Sequence, residues 1–232
     1  NAELLEGTSV KWVGSATAGV NHVNTEYLES KNIPFFHAPG SNAQSVVEYV
    51  LSAIFHLKSL GRLKTNPKVG IVGFGHGGSR LAQTLKHIDI PFVAIDPPRK
   101  ESTQEVFLQN PEVLNSCDII SFHVPFTQNG KHPTHNMINS SYLENLKSET
   151  ILINTCRGEI LNEADLLNST KDLLLISDVF WNEPTPSQQI LSRCHWTTPH
   201  IAGYATRQNY QITFWELSIV MPNHFILKTK FF

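Results

Sequence analysis

A glycine-rich turn in the first half of the chain constrains the fold more than any other feature of the sequence. The apolar run at residues 68–72 leads directly into a turn in which Gly73, Gly75 and Gly78 have the spacing GxGxxG, and leucines at helical spacing follow. A strand, a tight turn and a helix in this order are typical of nucleotide-binding α/β proteins. Because glycine-rich turns are common, the pattern is weak alone, and its context decides its meaning.

The chain after this turn alternates short apolar runs with segments long enough for helices. Further strands are predicted at residues 92–95, 119–123, 150–154 and 173–177. Continuous apolar strands that alternate with helices are typical of a parallel sheet covered on both faces. The sequence therefore predicts an α/β protein with a doubly wound parallel sheet, the Rossmann arrangement.

A smaller unit is predicted ahead of this sheet. Short apolar runs predict strands at residues 10–13 and 33–36, with a short helix at residues 26–30 between them. Residues 42–60 carry their apolar side chains on one stripe without an internal Gly or Pro, which predicts an amphipathic helix between the two units. A last helix is predicted at residues 204–217.

The composition excludes several classes of protein. A chain with 41% hydrophobic residues and a net charge of −2 is unlike a disordered protein, and it offers no long-range attraction to nucleic acid or anionic lipid. No apolar run reaches the ~18 residues that a membrane span needs. The three cysteines form no CxxC pair, which argues against a disulfide framework. We expect a cytoplasmic protein that binds neither nucleic acid nor membrane.

The surroundings of the glycine turn predict a dinucleotide site. Glycines at these positions allow the backbone to approach a pyrophosphate, and the following helix offers free N–H groups. Asp96 ends the next predicted strand, where its carboxylate would accept hydrogen bonds from a ribose and repel a 2′-phosphate. NAD is therefore predicted as the cofactor in preference to NADP, although Arg99 lies close by and weakens that preference.

Three segments late in the chain carry side chains suited to the oxidation of an alcohol. Such a reaction needs a base for the hydroxyl proton and a cation for a carboxylate or carbonyl. Arg157 follows the strand predicted to end at Asn154, which places it at the carboxyl edge where ligands bind in open α/β sheets. Glu183 and His200 follow later. Taken alone, Arg157 is equally consistent with an ordinary surface position, His200 is more typical of a structural histidine, and Glu183 of a solvated loop. Only their joint order behind the glycine turn favours catalysis.

Together these motifs resemble the D-isomer-specific 2-hydroxyacid dehydrogenases. The chain has C-R-G at Arg157, D-V-F-x-x-E-P through Glu183 and P-H-I-A-G at His200, in that family's order. The resemblance implies an NAD-dependent oxidoreductase that acts on a D-2-hydroxy acid. The motifs D-P-P-R at Asp96 and A-G-Y at Tyr204 are similar to those of a member with a phosphorylated substrate.

The resemblance implies a role for each candidate residue. His200 would be the acid/base, Glu183 would pair with it and favour the imidazolium, and Arg157 would hold the substrate carboxylate. Four residues are expected to contact substrate: Thr17, Ala18, Gly19 and Tyr204. The residues expected to line the cofactor pocket are Gly73, Gly75, His76, Gly77, Gly78, Asp96, Val124, Thr155, Cys156, Asp178 and Gly203.

Two other patterns favour structural roles. His132 and His135 are separated by a proline and a threonine, and no carboxylate or cysteine completes a ligand set, so no metal site is predicted. Cys156, beside Arg157, has the appearance of a nucleophile. Since the resemblance implies that the cofactor lies there, a packing role is favoured for its thiol.

The resemblance also implies how the chain is organised. Residues 1–45 would form part of a flavodoxin-like substrate-binding lobe, residues 46–203 the NAD-binding domain with the helix that leads into it, and residues 204–232 a helix that returns to the first lobe. We therefore expect a fragment or a natural truncation of a longer protein that forms homodimers. Two alternatives stay open: a dehydrogenase of another D-2-hydroxy acid, and a relative that binds NAD(H) without catalysis.

Overall fold

The computed structural model describes residues 2–20, 22–103, 105 and 107–204, and this part of the chain contains two compact units. One unit contains residues up to Asn42 and the other is Ala43–Tyr204. The predicted boundary between residues 45 and 46 lies close to this division. The role of the first unit as a substrate-binding lobe stays a prediction, and residues 205–232 of the predicted last segment lie outside the described residues.

The first unit holds two short parallel strands and two short helices. Its elements are α1 (Ala2–Leu5), β1 (Val13–Ser15), α2 (Thr25–Ser30) and β2 (Phe35–His37). Asn24 caps α2, because its side chain accepts a hydrogen bond of 2.9 Å from Tyr27 N. Both strands begin later than predicted. Pro34 has no N–H to donate, and the ladder starts with Val13 opposite Phe35.

The described part of the second unit contains a six-stranded parallel sheet with the strand order β4-β3-β5-β6-β7-β8. Its strands are β3 (Val69–Val72), β4 (Phe92–Ile95), β5 (Ile119–Phe122), β6 (Ile151–Asn154), β7 (Leu174–Ser177) and β8 (Trp196–Thr197). Its α-helices are α3 (Ala43–Ser59), α4 (His76–His87), α5 (Pro97–Thr103), α6 (Ser140–Glu144), α7 (Glu163–Asn168) and α8 (Gln188–Arg193), with 3-10 turns at Pro111–Ser116 and Gly158–Ile160. The predicted parallel α/β fold is confirmed. The two-residue β8 and the short α5 were not predicted.

Alternate side chains of the strands enter two hydrophobic cores, one on each face of the sheet. Ile151 and Ile153 of β6 pack with residues of α3 and α4, whereas Leu152 between them packs with residues of α6, α7 and α8. The stripe predicted on residues 42–60 is buried in the first of these cores, where Ile54 has no exposed surface. Helices therefore cover both faces, and the loops at the carboxyl edge remain available for a ligand.

No helix in the described ranges combines the length and apolar character that crossing a lipid bilayer requires.

The burial of α3 makes a direct prediction about stability. Replacing Ile54 with Ala removes buried methyl and methylene groups and leaves a cavity, so the free energy of unfolding should fall by about 2–5 kcal/mol. Phe55, the next residue on α3, is 49% exposed, and Phe55→Ala is the matched control with a much smaller expected loss. Urea unfolding followed by circular dichroism measures both. Equal losses in the two variants would contradict the assigned face of α3.

Candidate functional site

The glycine turn between β3 and α4 uses its glycines for different reasons. Gly73 has a φ of +91°, and a Cβ there would lie 2.6 Å from the carbonyl oxygen of His123. A Cβ on Gly78 would lie 1.9 Å from the carbonyl oxygen of Gly73, so α4 can pack on β3 only with glycine at that position. A Cβ on Gly75 would meet nothing within 4 Å. The packing of the chain therefore explains Gly73 and Gly78, whereas open space at Gly75 suits a bound pyrophosphate.

Asp96 follows β4 and is tied to the same turn. Its Oδ2 accepts a hydrogen bond of 2.7 Å from Phe74 N, and its Oδ1 accepts one of 3.0 Å from Arg99 N. Each carboxylate oxygen has a second lone pair, so both can also accept a ribose hydroxyl. The carboxylate thus has the position and the remaining acceptor capacity that a ribose ligand needs.

The other predicted cofactor residues also follow strands or begin helices at the carboxyl edge. His76 and Gly77 begin α4, Val124 follows β5, and Gly203 comes after β8. Thr155 directly follows β6, and its hydroxyl oxygen is buried without a hydrogen-bond partner among the described residues. A buried, unsatisfied hydroxyl is costly, and a bound ligand would relieve that cost. Gly75, Asp96 and Thr155 therefore fit a dinucleotide.

Cys156 has the properties of a packed thiol. Burial raises the pKa of Cys156 to about 11, so the nucleophilic thiolate is scarce at neutral pH. Its Sγ lies 3.3 Å from Asn154 Oδ1, which also accepts a hydrogen bond of 3.2 Å from Cys156 N. These contacts fit a packing role for the thiol, and the place of Cys156 in the cofactor pocket stays a prediction.

Arg157 stands in the turn after β6, and that turn packs closely on the segment that precedes Glu183. Asn154 Nδ2 donates to the Arg157 carbonyl at 2.9 Å, and Arg157 Nη1 donates to the Cys156 carbonyl at 2.6 Å. A Cβ on Gly158 would lie 2.1 Å from the backbone of Phe180. The glycine of the C-R-G motif therefore permits the close approach of the segments that carry Arg157 and Glu183.

His200 and Glu183, two of the three predicted catalytic residues, form a side-chain pair. His200 Nδ1 lies 2.7 Å from Glu183 Oε2. Because an ionised carboxylate only accepts hydrogen bonds, Nδ1 carries the proton and Nε2 is left for a ligand. Glu183 is itself oriented by a hydrogen bond of 2.8 Å from Phe180 N to Oε1.

The pair borders a cavity of about 590 Å³, whose lining includes Phe180, Thr198 and Pro199. The His200 side chain is 49% exposed, so it can reach a small molecule while Glu183 holds its other face. A few polar groups among apolar lining residues are the arrangement expected of a small-molecule site.

Asp178 holds the loop that carries His200. The residue is 1% exposed. Its Oδ1 accepts hydrogen bonds from Thr198 Oγ1 at 2.5 Å and Ile201 N at 2.8 Å, while Oδ2 accepts one from Ala202 N at 2.9 Å. Its backbone carbonyl accepts from His200 N at 2.8 Å. His200 has a φ of +56°, a conformation that residues other than glycine seldom adopt and that these contacts maintain. The predicted contact of Asp178 with the cofactor stays a prediction.

Sequence reasoning missed Tyr49 and Thr198, which continue this network. The Tyr49 hydroxyl, on α3, lies 2.7 Å from Thr198 Oγ1, and the Tyr49 ring stacks on Trp196. The Tyr49 and Thr198 side chains meet across 149 positions of sequence, and no local pattern indicates that contact.

The predicted substrate residues occur in both units. Thr17 follows β1, and its hydroxyl donates to the Gly19 carbonyl at 2.7 Å and lies 2.7 Å from Ser15 Oγ. Ala18 lies between Thr17 and Gly19 in the sequence. Tyr204, in the second unit, is 74% exposed. Their contacts with substrate stay predictions.

The two histidines considered for a metal have other partners. His132 Nε2 lies 3.1 Å from Glu101 Oε1, and the His135 ring packs against Phe126 and Trp181. Across the described ranges no group of three or more His, Cys, Asp or Glu side chains is arranged to hold a metal ion.

Comparison with known proteins defines the class of this protein. Residues 48–202 match the family model for the NAD-binding domain of D-isomer specific 2-hydroxyacid dehydrogenases. The chain belongs to this family, and the predictions of the family and of NAD as the cofactor are confirmed.

Individual relatives within the family share a higher sequence identity with the chain. The chain is 44% identical over 205 residues to erythronate-4-phosphate dehydrogenase of Hahella chejuensis, and the aligned region covers 87% of this chain and 54% of that protein. It is 43% identical over 209 residues to erythronate-4-phosphate dehydrogenase of Proteus mirabilis, and this alignment covers 88% of this chain and 56% of that protein. The chain thus spans about half the length of the relatives that it matches.

Solved structures support the fold. D-mandelate dehydrogenase of Rhodotorula graminis matches with a TM-score of 0.79 at 20% identity, over 95% of this chain and 74% of that one. D-lactate dehydrogenase of Aquifex aeolicus, solved with NAD and lactic acid, matches with a TM-score of 0.73 at 24% identity, over 95% and 78%. At these identities the likeness concerns the fold alone.

The two glycines at 75 and 78 predict separable effects. Gly78→Ala forces a Cβ against the Gly73 carbonyl and should lower the free energy of unfolding by about 3 kcal/mol. Gly75→Ala adds a Cβ in open space, so stability should change by less than about 1 kcal/mol while NAD affinity falls about tenfold or more. Chemical unfolding and fluorescence titration with NAD measure these quantities. Unchanged NAD affinity in Gly75→Ala would contradict the pyrophosphate assignment.

The hydrogen bonds of the buried Asp178 carboxylate predict that even a conservative substitution lowers the stability of the protein. Asp178→Asn replaces one acceptor oxygen with an NH₂ group and leaves a buried backbone N–H unpaired, so the free energy of unfolding should fall by about 1–3 kcal/mol. Asp172→Asn, at an exposed position, is the matched control. Urea unfolding compares the two. Equal stability of both variants would show that the Asp178 hydrogen bonds do not maintain the His200 loop.

Proposed function

We propose that the protein oxidises 4-phospho-D-erythronate to (R)-3-hydroxy-2-oxo-4-phosphobutanoate with NAD, in the biosynthesis of pyridoxal 5′-phosphate. The observation that carries this proposal is the His200–Glu183 pair, with Nδ1 and Oε2 2.7 Å apart, in a chain 44% identical to a protein named erythronate-4-phosphate dehydrogenase. A domain that only binds NAD does not need a histidine held by a carboxylate at the edge of a small-molecule cavity.

In the proposed reaction His200 acts as the base. Its Nε2 takes the proton of the C2 hydroxyl while the C2–H bond breaks and the C2 carbonyl forms. Bound NAD supplies the acceptor for the hydride that leaves C2. The negative charge of Glu183 stabilises the imidazolium that results and keeps the ring in the required orientation.

Arg157 is the proposed partner of the substrate carboxylate. A guanidinium presents two parallel N–H donors that match the two oxygens of a carboxylate, and it also polarises an adjacent carbonyl as that bond forms. Its position in the turn after β6 supports this role, because ligands of open α/β sheets bind at the carboxyl ends of the strands. Contacts of Thr17, Ala18, Gly19 and Tyr204 with the substrate belong to the same proposal, as do a homodimer and a cytoplasmic location.

The test is NADH formation, followed at 340 nm, with 4-phosphoerythronate, 3-phosphoglycerate and D-lactate as substrates. We expect 4-phosphoerythronate to give the highest kcat/KM, and His200→Gln to lower kcat by about 10²–10⁴-fold while NAD still binds. His195→Gln, at an exposed position on the same stretch of chain, is the control and should retain activity.

Each other outcome contradicts a defined part of the proposal. A higher kcat/KM for 3-phosphoglycerate or lactate would replace the substrate and keep the reaction class. Binding of NAD without NADH formation from any of the three acids would favour a non-catalytic NAD(H)-binding role. Full activity of His200→Gln would remove His200 as the base.

A further inference from the structure

Arg99 is a cation close to the predicted ribose site, and Glu105 engages its side chain. Arg99 Nε and Nη2 both donate to Glu105 Oε1, at 3.1 and 2.8 Å. Nη1 donates to the Phe74 carbonyl at 2.6 Å, and the guanidinium lies over the Phe74 ring, 5.4 Å from its centre. All three nitrogens of this guanidinium therefore have partners within the protein.

The position of Arg99 would otherwise suit NADP. Its backbone N–H donates to Asp96 Oδ1 at 3.0 Å, so it lies in the first turn of α5, directly beside the carboxylate assigned to the ribose. In dinucleotide-binding folds an arginine near this acidic residue is what accommodates a 2′-phosphate. Asp96 alone repels that phosphate, but a free guanidinium beside it would offset the repulsion.

We propose that Glu105 is a determinant of cofactor specificity, because it neutralises Arg99 and engages Nε and Nη2, one edge of the guanidinium that could otherwise face a 2′-phosphate. The pair is partly buried, with side chains 39% and 24% exposed, so solvent does not fully screen it. Glu105 Oε2 is buried and accepts no hydrogen bond from the described residues, which leaves the Arg99 contacts at Oε1 as the described hydrogen bonds of this carboxylate. The inference builds on NAD as the cofactor and goes beyond it by predicting that Glu105 keeps the affinity for NADP low.

The experiment compares dissociation constants of NAD and NADP by fluorescence titration at one fixed salt concentration. Glu105→Gln keeps the size of the side chain and removes its charge, so the ratio of the NADP constant to the NAD constant should fall about tenfold, the size of one charge-assisted hydrogen bond. Glu101→Gln is the matched control, because Glu101 contacts Lys131 and His132 and should leave the ratio unchanged.

Arg99→Gln supplies the second arm. Combined with Glu105→Gln it should abolish the tenfold gain, because that gain requires the guanidinium that Glu105 no longer neutralises. The proposal is overturned if folded Glu105→Gln keeps the original ratio, or if the double variant retains the tenfold gain. Thermal unfolding establishes that each variant is folded.

This readout separates the inference from the proposed function. A shifted ratio without NADH formation would support the role of Glu105 and contradict only the catalytic proposal. An unchanged ratio in an active chain would contradict only the role of Glu105. Failure of the unsubstituted chain to bind either cofactor would contradict both.

Discussion

The parallel pairing of the strands is the constraint on which the rest of the second unit depends. Because every pairing in the described sheet is parallel, each strand ends at the same edge. Turns from five different strands therefore meet there: the glycine turn, and those that bear Asp96, Arg157, Asp178 and His200. Residues far apart in sequence are therefore brought to one edge of the sheet. The proposed chemistry, which combines a cofactor, a base and a cation, depends on this convergence.

At this edge, buried polar side chains hold loops in place through hydrogen bonds. Asp178 lies inside the protein, yet its oxygens serve the backbone of the loop that carries His200. That loop holds His200 at a positive φ, which the contacts of Asp178 and of Glu183 maintain. Arg99 and Glu105 form a comparable contact near Asp96, where the ion pair holds the guanidinium. In both places a charged group acts by fixing another residue.

Local sequence patterns predicted the central strands of the six-stranded sheet well, and β8 and the strands of the first unit less well. Four of the five strands predicted in the second unit begin or end one residue from their predicted limits, and Phe92–Ile95 has the predicted span. The agreement is close because a continuous apolar run marks both ends of a buried strand. β8 escaped prediction because two residues carry no periodicity. The strand predicted at residues 10–13 begins only at Val13, since its start depends on a partner that follows Pro34.

Sequence alone determined the alternation of strands and helices, the glycine turn and the order of Arg157, Glu183 and His200, because apolar periodicity and residue type are local properties of the chain. Only the tertiary structure decided which atoms meet. The 2.7 Å contact of His200 Nδ1 with Glu183 and the hydrogen bond between Tyr49 and Thr198 depend on how separate segments pack. Such contacts arise from the summed packing of the two cores, and no short stretch of sequence encodes that sum.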